Sequence, residues 1–119
     1  MKTVLIVDDS ATARESMAKV VRDAGHHTAF AADGNEALEK ARQLHPDLIL
    51  LDIVMPNRDG YSTCRELKRD ASTKGIKVVF VSQKTSANSK FWAQEQGGDE
   101  YVAKPFEPDQ LASVIKRFF

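Results

Sequence analysis

The sequence predicts an α/β protein, a doubly wound parallel sheet with helices on both faces. Three observations carry this. Val4-Leu5-Ile6-Val7, Leu48-Ile49-Leu50-Leu51 and Val78-Val79-Phe80-Val81 are apolar at every position instead of alternating. Strands that read this way are buried on both faces, as in a parallel sheet covered by helices. Amphipathic segments separate the runs, so strands and helices alternate, and right-handed crossovers then close the sheet.

The elements follow in order. Val4–Val7 is the first strand. Ala13, Met17, Val20, Val21 and Ala24 recur on one face of a first helix. Thr12-Ala13-Arg14-Glu15 reads as its capping box, and Gly25 suits a left-handed stop. A weaker second strand fits His27 to Ala31. Asp33-Gly34-Asn35-Glu36 opens a second helix carrying Ala37, Leu38, Ala41 and Leu44, with Pro46 as its stop. After the third strand, Leu48–Leu51, Asp59-Gly60 opens a third helix with Tyr61, Cys64 and Leu67 on one face. Val78–Val81 is the fourth strand. Thr85-Ser86 opens a fourth helix that ends at Gly97-Gly98. Glu100 to Ala103 is a weaker fifth strand. Pro108 begins a fifth helix, in the first turn where proline is tolerated, with Leu111, Val114, Ile115 and Phe118 as its apolar face.

Composition narrows the function. A chain of 119 residues, 42% of them apolar, buries about two-thirds of its unfolded surface and needs no staple. Lys plus Arg and Asp plus Glu are both 17, so there is no basic excess for nucleic acid or an anionic membrane. One cysteine, Cys64, gives neither a disulfide framework nor a zinc cluster. Apolar runs of about five residues are far short of the roughly 20 that span a bilayer. Asp8-Asp9 follows the first strand too early for a signal peptide. A soluble, reduced, cytoplasmic protein is expected.

In such sheets the chemistry sits beyond the carboxyl ends of the strands. There the first strand meets Asp8-Asp9, the third Asp52, the fourth Ser82 and the fifth Lys104-Pro105. Three carboxylates, a hydroxyl and an ammonium are thus directed to one cleft. Packed carboxylates repel unless a cation joins them. An oxygen-only ligand set favours Mg²⁺, or Mn²⁺, over zinc. A carboxylate can also act as a nucleophile toward a phosphoryl group. Placement alone therefore suggests metal-assisted phosphorylation of an aspartate.

The motifs Val7-Asp8-Asp9-Ser10, Leu51-Asp52-Ile53-Val54-Met55-Pro56-Asn57-Arg58-Asp59-Gly60, Val81-Ser82 and Tyr101-Val102-Ala103-Lys104-Pro105-Phe106 resemble the receiver domain of bacterial two-component response regulators, in the stand-alone chemotaxis (CheY-like) form. The resemblance runs over essentially the whole chain. It implies a (βα)5 flavodoxin-like sandwich with strand order 2-1-3-4-5, and residues 1–119 as one receiver domain without an output domain. It implies Asp52 as phospho-acceptor, with Asp9, Asp52 and the Val54 carbonyl binding Mg²⁺ and Asp8 doing so mostly through water. Ser82 would be the switch hydroxyl, Tyr101 the switch aromatic, and Lys104 the partner of the phosphoryl group, joined to Pro105 by a cis peptide. Pro56 and Gly60 would shape the loop after Asp52. The implied partners are a histidine kinase and a downstream protein on the face of the fourth helix, fifth strand and fifth helix. The protein would be a monomer that phosphorylation can make dimeric, and no enzyme beyond its own phosphorylation and dephosphorylation.

Lys90-Phe91-Trp92-Ala93-Gln94-Glu95-Gln96-Gly97 is similar to receivers of type IV pilus twitching and phototaxis systems. Three rivals fit less well. A haloacid-dehalogenase-type phosphotransferase lacks its Asp-x-Asp signature at Asp8 and at Asp52. A flavodoxin-like electron carrier needs a phosphate loop where Asp8-Asp9-Ser10-Ala11 would repel one. A phosphorylation-independent interaction module has no need of the full set of acids, hydroxyl and lysine. His26, His27 and His45 show no partner pattern, and Cys64 reads as an inert core thiol.

Overall fold

A computed structural model describes residues 1–119. Five strands and five helices alternate without exception: β1 (Thr3–Val7), α1 (Ala11–Asp23), β2 (His27–Ala31), α2 (Gly34–Leu44), β3 (Leu48–Leu51), α3 (Gly60–Arg69), β4 (Lys77–Ser82), α4 (Ala87–Glu95), β5 (Glu100–Ala103) and α5 (Pro108–Arg117). The strands form one parallel sheet in the order β2-β1-β3-β4-β5, as expected.

The continuous apolar runs have a direct reason. Successive strand residues point to opposite faces, and here each face has its own core. Val4, Ile6, Leu48, Leu50, Val79, Val81 and Val102 meet Met17 and Val21 of α1 and Leu111 and Ile115 of α5. Leu5, Val7, Ile49, Leu51, Val78 and Phe80 meet Leu38 of α2, Leu67 of α3 and Ala93 of α4. Both sides of β1, β3 and β4 are therefore apolar. β2 and β5 lie at the sheet edges and are only partly buried, which is why their sequence signal is weak.

Helix ends mostly follow the sequence chemistry. Asp33 caps α2 by accepting from the Glu36 N–H at 2.8 Å, while the Glu36 carboxylate accepts from the Ala32 N–H at 2.7 Å. Asp59 caps α3 and Ser86 caps α4. Gly25 takes φ +90° after α1. One detail differs from expectation. Helix α1 starts at Ala11 and is capped by Ser10, not by Thr12, because the Ser10 hydroxyl accepts the Ala13 N–H at 3.2 Å. Glu15 is then free to pair with Arg22 at 2.6 Å. Helix α2 stops at His45, in the left-handed conformation with φ 46°, one residue before Pro46.

Cys64 is fully buried in the second core, and its thiol donates to the Gln96 carbonyl at 3.3 Å. Burial pushes the thiol pKa up to about 12, so almost no thiolate forms near neutrality. We expect no reaction of the native protein with a disulfide reagent at pH 8, and one equivalent after unfolding in urea. A native thiol that reacts at the rate of a free cysteine would contradict this packing.

Candidate functional site

Strand register assembles the site. Val7 pairs with Leu51, Leu51 with Phe80, and Ser82 with Ala103. The next residue along β1, β3 and β5 is Asp8, Asp52 and Lys104. Backbone bonds extend the ladder by one step: the Asp52 N–H donates to the Val7 carbonyl at 3.0 Å, and the Lys104 N–H to the Ser82 carbonyl at 2.9 Å. The residues predicted from four separate strand ends are thereby brought to one edge.

Asp8 is 1% exposed, the Asp52 side chain 12%, and Asp9 lies open at the rim. Carboxylate oxygens of all three lie within 4.8 Å of one another. The Lys104 ammonium, 15% exposed, donates to Asp8 and also reaches Asp52 at 3.2 Å. Asp8 further accepts from the Ser10 N–H at 2.9 Å, and Asp52 from the Ile53 N–H at 2.7 Å. Burial raises the Asp52 pKa above its ordinary value, and Lys104 and the Ile53 N–H pull it back without cancelling the effect. For Lys104, burial acts to lower the pKa, but the two carboxylates outweigh it and the net shift is upward.

This donor set fits a hard divalent cation. Two carboxylates face the cleft, a third stands at its open rim, and all ligand atoms are oxygen. The Val54 carbonyl accepts none of the backbone hydrogen bonds of the fold, in a residue 62% exposed. One cation is too few for three close carboxylates: Lys104 engages Asp8 and Asp52 but not Asp9.

Ser82 is 1% exposed, and its Oγ accepts from the Lys84 N–H at 3.2 Å. Tyr101 is half-buried, stacks on Phe80 with ring centroids 6.3 Å apart, and donates its hydroxyl to the Lys84 carbonyl. Burial raises the Tyr101 pKa. Ser82 and Tyr101 therefore hold opposite sides of one residue, Lys84, in the β4–α4 loop. Lys104-Pro105 is a cis peptide, as the resemblance implied.

Sequence reading missed three supporting residues. The Arg14 guanidinium donates to the Asp8 carbonyl at 2.7 Å from the first turns of α1. Asn57 and Arg58 tie the loop after Asp52 to the start of α2. Only Asn57 carried a signal, since asparagine tolerates the left-handed conformation it adopts, with φ 68°. A groove of about 1130 Å³ lies elsewhere, between α1 and the start of α5, and no member of the acidic trio lines it.

The model of the response regulator receiver domain matches residues 4–116. PilH of Pseudomonas aeruginosa is 36% identical over 115 residues, which cover 97% of this chain and 95% of that protein. The DNA-binding response regulator MtrA of Mycobacterium tuberculosis is 37% identical over 113 residues, and there the chain spans about half of the relative's length, 48%. Among solved structures, the chemotaxis protein CheY4 of Vibrio cholerae superposes with a TM-score of 0.93 at 31% identity, covering 100% of this chain and 99% of that one. The receiver domain of a Pseudomonas aeruginosa sensor histidine kinase, solved with a magnesium ion coordinated in its active site cleft, gives 0.91 at 25% identity, covering 98% and 96%. No helix is long and apolar enough to cross a membrane.

Proposed function

This chain belongs to the response regulator receiver domain family of two-component signalling, and on that premise we propose that Asp52 accepts the phosphoryl group from a histidine kinase. The observation that carries the reading is the placement of the Asp52 carboxylate. It stands at the end of a central strand, within 4.8 Å of Asp8 and Asp9 and 3.2 Å from an ammonium. An Asp52 oxygen attacks phosphorus in line, the P–N bond of the phosphohistidine breaks, and its electron pair returns to the imidazole. Asp9, Asp52 and the Val54 carbonyl, with Asp8 beside them, would hold Mg²⁺, which when bound would supply charge neutralisation for the phosphoryl oxygens. Lys104 supplies a second positive charge. The chain catalyses only its own phosphorylation and dephosphorylation, and turns over no external substrate.

The shared anchor at Lys84 suggests how the signal leaves the site. Ser82 Oγ accepts from the Lys84 N–H and keeps its own proton to donate to a phosphoryl oxygen. A shift of the Ser82 hydroxyl toward the phosphoryl group pulls on the Lys84 N–H, and through that residue on the carbonyl that accepts from the Tyr101 hydroxyl. Phosphorylation thereby biases a pre-existing equilibrium of α4, β5 and α5, and that face binds its downstream protein differently. The protein acts in the cytoplasm. The α4 residues Phe91 and Trp92, 53% and 54% exposed, and the similarity to PilH support a chemosensory system of the twitching type.

Asp52→Asn is the test. Labelling by a small phosphodonor with Mg²⁺ should vanish, and undiminished labelling would remove Asp52 from the reaction. The same variant has a pH signature without metal. The folded-state pKa of Asp52 is raised, so the folded protein favours the protonated acid. That contribution to stability is fully present below pH 3.8 and is lost as pH rises through the folded value. Asparagine mimics the protonated acid at every pH. In chelator, Asp52→Asn should therefore melt above the wild type at pH 7, and the gap should close toward pH 4.

A further inference from the structure

The Val54–Asp59 loop contributes the backbone carbonyl of the site yet contains no helix or strand. On the Asp52 side, the Gly60 N–H donates to the Ile53 carbonyl at 2.8 Å. The tip is held from outside. Asn57 is left-handed, and its amide Nδ2 donates to Asp33 Oδ2 at 2.7 Å. Asp33 Oδ1 meanwhile caps α2. One carboxylate thus serves the helix with one oxygen and the loop with the other. The Glu36 N–H and then the Asn57 amide hold the Asp33 carboxyl below its ordinary pKa, so the contact is charge-assisted at neutral pH. Beside it, Arg58 Nε donates to Asn35 Oδ1 at 2.9 Å, and Arg58 NH1 to Ser62 Oγ at 2.9 Å. Backbone packing agrees independently. A Cβ on Gly34 would lie 2.7 Å from the Arg58 carbonyl and would overlap Thr63 Oγ1. Glycine at the first position of α2 lets the two loops lie against each other.

We propose that Asn57 and Asp33 are a positioning pair that clamps the β3–α3 loop to α2 and so aims the Val54 carbonyl at the acidic trio. Neither residue touches the reacting atoms. Their role is to make the loop ligand pre-organised, so that a divalent cation does not have to order the loop as it binds. This rests on the reading of Asp9, Asp52 and Val54 as the metal ligands.

Two variants keep the local backbone while breaking the clamp. Asn57→Gly retains the left-handed conformation. Asp33→Ser retains a helix cap but is too short to reach the loop. Calorimetric titration of each full chain with MgCl₂ reads the effect without any phosphodonor. Each single variant should weaken Mg²⁺ binding about fivefold, and the double variant no more than either alone. Gly34→Ala, which forces the loops apart, should do the same. Melting in chelator gives the second readout. Lower melting temperatures with unchanged Mg²⁺ affinity would make the clamp purely structural and overturn the proposal. If the wild type takes up no Mg²⁺, or takes it up equally with Asp9→Asn, the metal-site reading fails and the clamp's role falls with it. If the wild type binds through Asp9 and the clamp variants match it, only the clamp's role is wrong.

Discussion

Lys104→Ala is expected to lower the stability of the metal-free protein by about 2–3 kcal/mol. The ammonium is the only cation paired with the Asp8 and Asp52 carboxylates, and both carboxylates are largely withdrawn from water. Removing it leaves buried negative charges unpaired, which costs more than the pair itself contributes. The measurement is the urea midpoint in chelator. Magnesium gives the sharper half of the test. A divalent cation enters the same field of charge, so adding it should stabilise the variant by more than it stabilises the wild type. Equal gains in both proteins would mean that Lys104 and the cation do not answer the same carboxylates. The direction is opposite to that of Asp52→Asn, since one change removes a cation and the other an anion from the same cleft.

Gly60→Ala is the second large effect. The first residue of α3 packs against the end of β3, and a Cβ there would overlap the Asp52 carbonyl and lie 2.8 Å from Ile53 Cα. The atoms in the way are backbone, so no side chain can swing aside. The strand end and the helix start must separate, at a cost of about 3 kcal/mol. That movement also displaces the Asp52 carboxylate, and a misplacement of about 1 Å lowers a positioned reaction by about a hundredfold. Labelling by a phosphodonor should therefore slow sharply even where the chain still folds. Gly75→Ala is the control, because a Cβ there meets nothing within 4 Å. Its melting temperature should stay within about 2 °C of the wild type.

The architecture was legible because the central residues of β1, β3 and β4 are buried on both sides, which leaves no polar position inside those runs to confuse the pattern. The chemistry was legible because a parallel sheet delivers strand ends to one edge, so reading the residue after each run locates Asp8, Asp52 and Lys104. The start of α1 was misread because Ser10 and Thr12 are both good caps two residues apart. Periodicity fixes the face of a helix, not which of two neighbouring hydroxyls takes the free N–H groups. The clamp was illegible for a different reason. Asp33 and Asn57 lie 24 residues apart in chain order, and their contact depends on how closely two loops approach. No local pattern encodes that distance, although Gly34 is what permits it.

The strand order also has a consequence during synthesis. A ribosome delivers the chain from its N-terminus, and domains begin to fold in that order. β2, β1 and β3 are adjacent in the sheet, so they can pair before β4 and β5 exist. All three aspartates are present by then, but the lysine that answers them is made 52 residues after Asp52 and 96 after Asp8. A half-made chain therefore carries the acidic trio before the ammonium that pairs with the Asp8 and Asp52 carboxylates. The ion pair that closes the cleft is thus a record, written in charge, that the last strand has arrived.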